Sequence, residues 1–267
     1  MSWREQNRRA WNRIAQGDNQ FARVATDDEC SRPLEILDGR GWLPRDVTGL
    51  DVLCLASGGG WQSVLYAVAG ARVTVVDISD QMLALDRREA DRRGLSIHTV
   101  QASMDDLHDL HDETFDIVHQ PVSTCYVPEL FPVYREIARV CRDGGIYISQ
   151  HKQPASLQIT RRNADDHFVI GLEYYREGPL PNVPDTSYRE AGTTEYLHRW
   201  EQLVGDLCVS GFVIEDLREP LRADVRADVT SYKYRGRFLP PYLRMKARRR
   251  PRAEMEAAAE KPLLWTP

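Results

Sequence analysis

The stretch from Val52 to Asp77 constrains this chain more than any other. An apolar run, Val52-Leu53-Cys54-Leu55, leads through Ala56 and Ser57 into Gly58-Gly59-Gly60. A short helical stretch follows, and a second apolar run from Val73 to Val76 ends on Asp77. Strand, glycine turn, helix, strand and acid in this order build a site for a nucleotide-type cofactor. The glycines let the backbone come close to a ligand where a Cβ would block it. The helix after them offers free N–H groups at its N-terminus. An acid at the end of the second strand can accept hydrogen bonds from two adjacent ribose hydroxyls.

The rest of the chain repeats the strand–helix alternation. Strand one reads as about 51–56, and the helix from about 61 closes at Gly70, a suitable residue just past a helix end. Strand two covers 72–77. Ser79 then caps a helix that carries Met82, Leu83 and Leu85 and closes at Gly94. Strands three, four and five read as about 96–101, 115–119 and 146–150. The helix between the last two, about 128–141, shows Leu130, Tyr134, Ile137 and Cys141 on one face. Repeated units of this kind imply a parallel sheet covered by helices. Upstream, Trp3, Trp11, Ile14 and Ala15 are spaced as in an amphipathic helix, and residues 1–47 read as a helical N-terminal cap. Downstream, residues 152–192 collect prolines, glycines and Tyr174, Tyr175 and Tyr188, the texture of an inserted lid. A helix over about 193–209 precedes strand six, 212–217. A last strand, 242–247, follows Pro240-Pro241, and residues 251–267 read as a tail.

Composition narrows the function classes. A net charge of −5 gives no basic field for nucleic acid. The basic run Lys246 to Arg252 reads as a solvated strand end. Five scattered cysteines without a C-x-x-C pair fit the reduced thiols of a cytoplasmic protein. Residues 1–20 lack the apolar core of a signal peptide. No apolar run approaches the roughly 20 residues of a membrane helix, so no membrane partner is expected.

Motif by motif, the chain resembles the class I S-adenosylmethionine (SAM) dependent methyltransferases, in particular their small-molecule branch of quinone and natural-product biosynthesis. The match runs over roughly 48–248. Val52 to Gly60 resembles the first motif, apolar-apolar-acid-apolar-Gly-x-Gly-x-Gly, with Cys54 at the acidic position and Ala56 in place of the first glycine. Asp77-Ile78-Ser79-Asp80-Gln81-Met82 resembles Asp-x-Ser-Pro-x-Met. Gln101 to Leu107 resembles Gly-Asp-Ala-x-x-Leu, with Ser103 where an acid is usual. Phe115 to Val118, Arg139 to Gly145 and Gly211 to Glu215 resemble the entries to strands four, five and six. The resemblance implies a Rossmann-like sheet of seven strands, mostly parallel with an antiparallel last strand, helices on both faces, a helical cap and a lid after strand five. It implies a methyltransferase domain over 48–250 with the lid at 152–192. It also implies SAM as cofactor, S-adenosylhomocysteine as product, and Ala56, Ser57, Gly58, Gly60, Asp77, Ile78, Met82, Ser103, Met104 and Gln120 as cofactor-binding residues. Gly58-x-Gly60-x-x-Ser63 with Asp77 is also a near miss for a dinucleotide fingerprint. Ser63 in the place of its third glycine and the downstream motifs favour SAM.

The acceptor belongs at the carboxyl ends of strands four and five, where open α/β sheets bind ligands. His151, just past strand five, is the first candidate for a general base and His119 the second, because imidazole titrates near neutrality. Tyr126, Gln150 and His198 are expected to line the acceptor pocket. The segment from Gln120 to Val127 has no carboxylate, so no metal is expected. A small-molecule acceptor is the leading reading. A protein or RNA acceptor, and a SAM-binding fold without methyl transfer, stay open as alternatives, as does the oligomeric state.

Overall fold

The computed structural model describes residues 1–17 and 20–254. Its chain begins with α1 (Trp3–Gln16), a 3₁₀ turn, and two short helices, α2 (Asp27–Ser31) and α3 (Pro33–Leu37). Then come β1 (Asp51–Leu55), α4 (Gln62–Val68), β2 (Arg72–Asp77), α5 (Asp80–Arg93), β3 (Ile97–Gln101), β4 (Phe115–Gln120), α6 (Phe131–Val140) and β5 (Cys141–Lys152). The lid region holds α7 (Pro154–Leu157) and an antiparallel pair, β6 (Ile159–Arg162) and β7 (Phe168–Ile170). A π-helical turn, Glu201–Gly205, runs into α8 (Asp206–Val209), and β8 (Phe212–Arg218), α9 (Tyr232–Arg235) and β9 (Tyr242–Arg249) complete the described chain.

The main sheet has seven strands in the order β3-β2-β1-β4-β5-β9-β8. The first five run parallel. The last strand, β9, is antiparallel to both its neighbours. This is the Rossmann-like architecture implied by the sequence. Both sheet faces are covered, which explains why strands such as β1 read as continuous apolar runs instead of alternating ones. Leu53, Leu55, Val118, Tyr147 and Met245 pack with Tyr134 and Ile137 of α6 in one buried layer. Val52, Cys54, Val75, Ile117 and Ile148 pack with Tyr66 of α4, Leu83 of α5 and Trp42 in the other.

Local signals fix the helix ends next to the crevice. The Ser79 hydroxyl accepts the Met82 N–H at 3.1 Å and starts α5, and Gly94 ends it in the left-handed conformation at φ 65°. A capping box joins Thr26 and Glu29 at the start of α2. Glu29 also accepts from the Trp61 indole at 3.1 Å, and the Ala25 N–H donates to the Gly60 carbonyl at 3.0 Å, so the cap is tied to the glycine turn.

Two boundaries differ from the sequence reading. β5 extends from Cys141 to Lys152, and the expected Gly144-Gly145 turn is a bulge within it, where pairing with β4 jumps from Phe115↔Cys141 to Ile117↔Ile146. A Cβ at Gly145 would stand 2.6 Å from Cys141 Sγ, which accounts for glycine there. The expected helix over 193–209 begins only near Glu201. Before it, backbone groups are already committed across the fold: Thr194 N–H to Asn7 Oδ1 at 2.6 Å and Tyr196 N–H to the Cys125 carbonyl at 2.7 Å. A helical ladder cannot form from groups bonded elsewhere. The basic run also has partners: Lys246 and Arg248 pair with Glu215, and Arg249 donates to the Ala138 carbonyl at 3.0 Å. Residues 255–267 of the expected tail lie outside the described residues.

Ile117 is 1% exposed at the centre of the sheet. Ile117→Ala is expected to cost about 2–5 kcal/mol, read as a lower urea midpoint with an unchanged m-value.

Candidate active site

The strand order reverses direction at β1, which lies between β2 and β4, so the crevice opens at the carboxyl ends of β1 and β4. Ala56 leaves β1 at φ 50°, in the left-handed region, where a Cβ costs roughly 1–2 kcal/mol. Its N–H donates to the Val76 carbonyl at 2.7 Å and holds it there. Gly58 is required for space: a Cβ would meet Met82 Cβ at 2.8 Å and Asp77 Oδ2 at 3.0 Å.

The N–H groups of the turn are taken by two carboxylates. Gly58 donates to Asp77 Oδ2 at 2.9 Å, Gly59 to Asp86 Oδ2 at 2.8 Å and Gly60 to Asp86 Oδ1 at 3.0 Å. The Ser63 hydroxyl also donates to Asp86. Sequence reasoning missed Asp86. The signal was present, since it stands four residues after Met82 and three after Leu83, on the face of α5 that those residues bury. Where the first motif usually has an acid, Cys54 is fully buried in the apolar layer, and Asp86 braces the turn instead.

Burial raises the Asp77 carboxyl to about 6 from its ordinary 3.8, against the lowering effect of the Ser79 and Gly58 N–H groups. Burial likewise raises Asp86 to about 6. A buried charge is expensive, and here the fold sets two of them beside one glycine turn.

The crevice widens into a cavity of about 640 Å³. Of the expected cofactor residues, Ala56, Ser57, Gly58, Asp77, Ile78, Met82, Ser103 and Met104 stand on its wall. Gly60 and Gln120 do not. The Gly60 position packs on α5, with a would-be Cβ 3.2 Å from the Leu85 carbonyl oxygen. Gln120 lies behind the wall, donating to Ser123 Oγ at 2.8 Å and accepting from the Tyr147 hydroxyl at 2.6 Å. The Ser103 hydroxyl is turned onto Asp105, which also pairs with Arg4 at 2.5 Å.

Tyr126 and Gln150 reach the cavity as expected for an acceptor pocket, but none of the expected histidines stands on its wall. His151 is fully buried, with Nδ1 2.8 Å from Thr124 Oγ1 and Nε2 2.7 Å from Ser149 Oγ. Desolvation lowers it to about 3, so it stays neutral and both nitrogens are engaged. His119 shares a hydrogen bond of 2.8 Å with the Tyr66 hydroxyl, and desolvation lowers it to about 4. His198 sets Nε2 3.0 Å from both the Thr124 and Val127 carbonyls, and desolvation lowers it to about 4 as well. These positions correct the expectation of a base at His151 or His119 and of a pocket contact from His198: each imidazole braces packed backbone or neighbouring hydroxyls.

The far wall comes from segments distant in sequence. Trp3, Asn7 and Trp11 of α1 reach it, as do Tyr188, Arg189 and Glu190 of the lid and Tyr232 and Tyr242 near the end of the chain. Asn7 donates to the Tyr126 carbonyl at 2.9 Å and to the Thr194 carbonyl at 3.1 Å. The Tyr188 ring meets Tyr232 and Tyr242 edge-on, with centroids 6.2 and 5.7 Å apart. Behind Tyr126, Lys152 sits between Glu190 at 2.6 Å and Glu195 at 3.0 Å, all three nearly inaccessible to water. The Tyr126 hydroxyl donates to Glu190 Oε2 at 2.6 Å. Among the described residues, no three His, Cys, Asp or Glu side chains gather as a metal set, and no helix is long and apolar enough to cross a membrane.

Comparison with known proteins agrees with this geometry. A family model described as a methyltransferase domain matches residues 53–149. The chain is 49% identical over 115 residues to "Uncharacterized methyltransferase YbaJ" of Bacillus subtilis (strain 168), 43% of this chain and 45% of that protein. It is 26% identical over 195 residues to a ubiquinone biosynthesis O-methyltransferase of Xanthomonas oryzae pv. oryzae, 71% of this chain and 77% of that one. The chain thus spans less than half the length of the Bacillus relative. Among solved structures, a SAM-dependent methyltransferase from Mesorhizobium loti superposes with a TM-score of 0.65 at 25% identity, covering 82% of this chain and all of that one.

The raised carboxyl of Asp77 has a signed consequence. In the folded chain it holds a proton between pH 3.8 and about 6 that the unfolded chain has released. Its contribution to stability is present below the lower value and is lost as pH rises through the upper one. Asp77→Asn removes that titration. The thermal midpoint of D77N minus that of the parent, measured without cofactor, should increase from pH 4 to pH 6 and level off above. A flat difference would show that Asp77 titrates normally.

Proposed function

We propose that this chain, a class I SAM-dependent methyltransferase by its fold and by its methyltransferase domain, transfers the SAM methyl group to a small-molecule acceptor in the cytoplasm. One observation carries the reading: a single cavity joins the glycine turn and Asp77 to a wall of Tyr126, Gln150, Tyr188 and Tyr242. Its 640 Å³ suits a small ligand, since such sites span about 300–1,000 Å³. The free state of all five cysteines suits a reducing compartment.

The residues present fit the cofactor. Asp77 stands on the wall with each carboxylate oxygen accepting one backbone N–H, and a carboxylate oxygen has a second lone pair for a ribose hydroxyl. Asp77 would hold the ribose, Ile78 and Met82 would cover the adenine with Ser103 and Met104 at its edge, and Ala56 and Ser57 would flank the methionine part. When bound, SAM supplies an electrophilic methyl on a sulfonium, which a nucleophile takes as the sulfur becomes a neutral thioether. The chain's main task is alignment in a water-poor site, worth roughly 7–11 kcal/mol when reacting groups are held in near-attack geometry. Trp3, Trp11 and the tyrosines close the cavity over that site.

For an acceptor that loses a proton, Glu190 is the group on the wall that we assign to receive it. Glu190 and Glu195 both accept from the ammonium of Lys152, Arg189 stands 3.9 Å from Glu195, and burial raises Glu195 above its ordinary range. Glu190 is the member of this network that reaches the cavity wall. Burial and the adjacent Glu190 keep the Tyr126 hydroxyl protonated, so it donates and does not compete as a base.

Isothermal titration with S-adenosylhomocysteine should give binding that Asp77→Ala weakens by roughly 1.5–3 kcal/mol, the worth of hydrogen bonds to a charged group. An unchanged dissociation constant would refute the ribose assignment. Methyl-labelled SAM should pass its label to small molecules from a metabolite extract; label found only in protein or RNA would overturn the acceptor class. Glu190→Gln should lower turnover by about 10²–10⁴-fold, the usual contribution of a general base, with homocysteine-product affinity nearly unchanged. Equal turnover would remove Glu190 from the reaction.

A further inference from the structure

The cavity wall presents hydrogen-bond donors without matching protein acceptors. Arg222 and Gln150 both stand on the wall. Gln150 lies opposite Arg244 in the β5–β9 ladder, and Arg244 Nε donates to Gln150 Oε1 at 2.6 Å. A guanidinium has no acceptor, so the atom facing it is the amide oxygen, which settles the orientation of the amide. The Gln150 amino group then has no protein acceptor among the described residues, and neither do the terminal nitrogens of the half-buried Arg244. Arg222 has none either, and no described carboxylate lies within ion-pair distance of Arg222 or Arg244. Of the two acids on this cavity's wall, Glu190 is already engaged by Lys152 and Tyr126, and Asp77 by the Gly58 and Ser79 N–H groups.

Other arginines of the fold show the contrast. Arg235 pairs with Asp185 at 3.0 Å, and Arg189 donates to the Pro181 carbonyl at 2.6 Å. Burial first, and then the fields of Arg222 and Arg40, lower the Arg244 guanidinium from its ordinary range. Arg244 thus lies in the field of like charges, Arg222 of the cavity wall among them, and no described carboxylate forms an ion pair with either, an arrangement that an anion relieves.

We propose that the methyl acceptor carries an oxyanion, a carboxylate or a phosphate, seated against Arg222 and the Gln150 amide with Arg244 behind them. Tyr188, Tyr232 and Tyr242, packed edge-to-face, lie on the same wall and offer aromatic contact to the body of the acceptor. This rests on reading the cavity as the place where cofactor and acceptor meet. Arginine suits the role because its planar fork matches both anions in two-pronged geometry.

The test titrates the S-adenosylhomocysteine-loaded protein with benzoate, phenyl phosphate and the neutral benzamide. At least one anion should bind at least tenfold more tightly than benzamide, and which one does so identifies the group. Arg222→Ala, at an exposed position that bears no fold contact through its guanidinium, should abolish the preference. Arg244→Gln should reduce it, while both variants keep the parent affinity for S-adenosylhomocysteine. Benzamide binding as well as both anions, no anion binding, or a preference that persists in R222A would overturn the proposal. Failure of the parent to bind S-adenosylhomocysteine would instead overturn the cofactor reading and is seen before any anion is added.

Discussion

The geometry of this protein depends on the bracing of its glycine turn by Asp77 and Asp86. Three successive N–H groups that could point anywhere are each committed to a carboxylate oxygen, from the end of β2 and from the middle of α5. The turn therefore cannot settle until β2 and α5 have packed, and once they have, Asp77 is aimed along the crevice. The cost is charge held out of water, visible in carboxyls raised to about 6. Such local cost at a functional site, compensated by the surrounding fold, is a common pattern.

The second half of the cavity has a different construction. Its walls come from α1, the lid and the segment after β8, joined by polar and aromatic contacts, and from the start of β9 in the sheet. Asn7 links α1 to Tyr126 and Thr194. Lys152 links the end of β5 to Glu190 of the lid and to Glu195 just after it. Removing one partner from such a buried set leaves an uncompensated charge, so the lid is held in one register. The framework that carries the glycine turn is made of local βα units, while the far wall of the cavity is made of long-range contacts. This division lets one fold serve many acceptors by changing the wall alone.

Much of the framework was legible before the structure. The strands, the Ser79 cap and the Gly94 stop follow from periodicity and turn chemistry, which are local, while the antiparallel last strand was implied by the family resemblance. Asp77, Ile78, Met82 and Met104 arrived at the cavity because each sits at or just after a strand end in that framework. The histidines illustrate what local reading misses. His151 and His119 occupy strand positions that fit a base by location, yet their side chains meet Thr124, Ser149 and Tyr66 in the packed interior. Which face of a strand meets a cavity depends on what the neighbouring segments cover, and no residue type encodes that. The helix expected to carry His198 fails for the same reason, because Asn7 and Cys125 claim its backbone groups.

The sequence by itself determined the α/β alternation, the glycine turn and the acid at the end of β2, because apolar periodicity, glycine conformation and helix capping act within a few residues. Tertiary structure decided which carboxylate braces the turn, which polar groups face the cavity and which are consumed in packing. Asp86, Glu190 and Gln150 acquire their contacts from neighbours tens of residues away in the chain. Charge and hydrogen-bond balance are properties of that assembled neighbourhood, so they could be read only once the chain was folded.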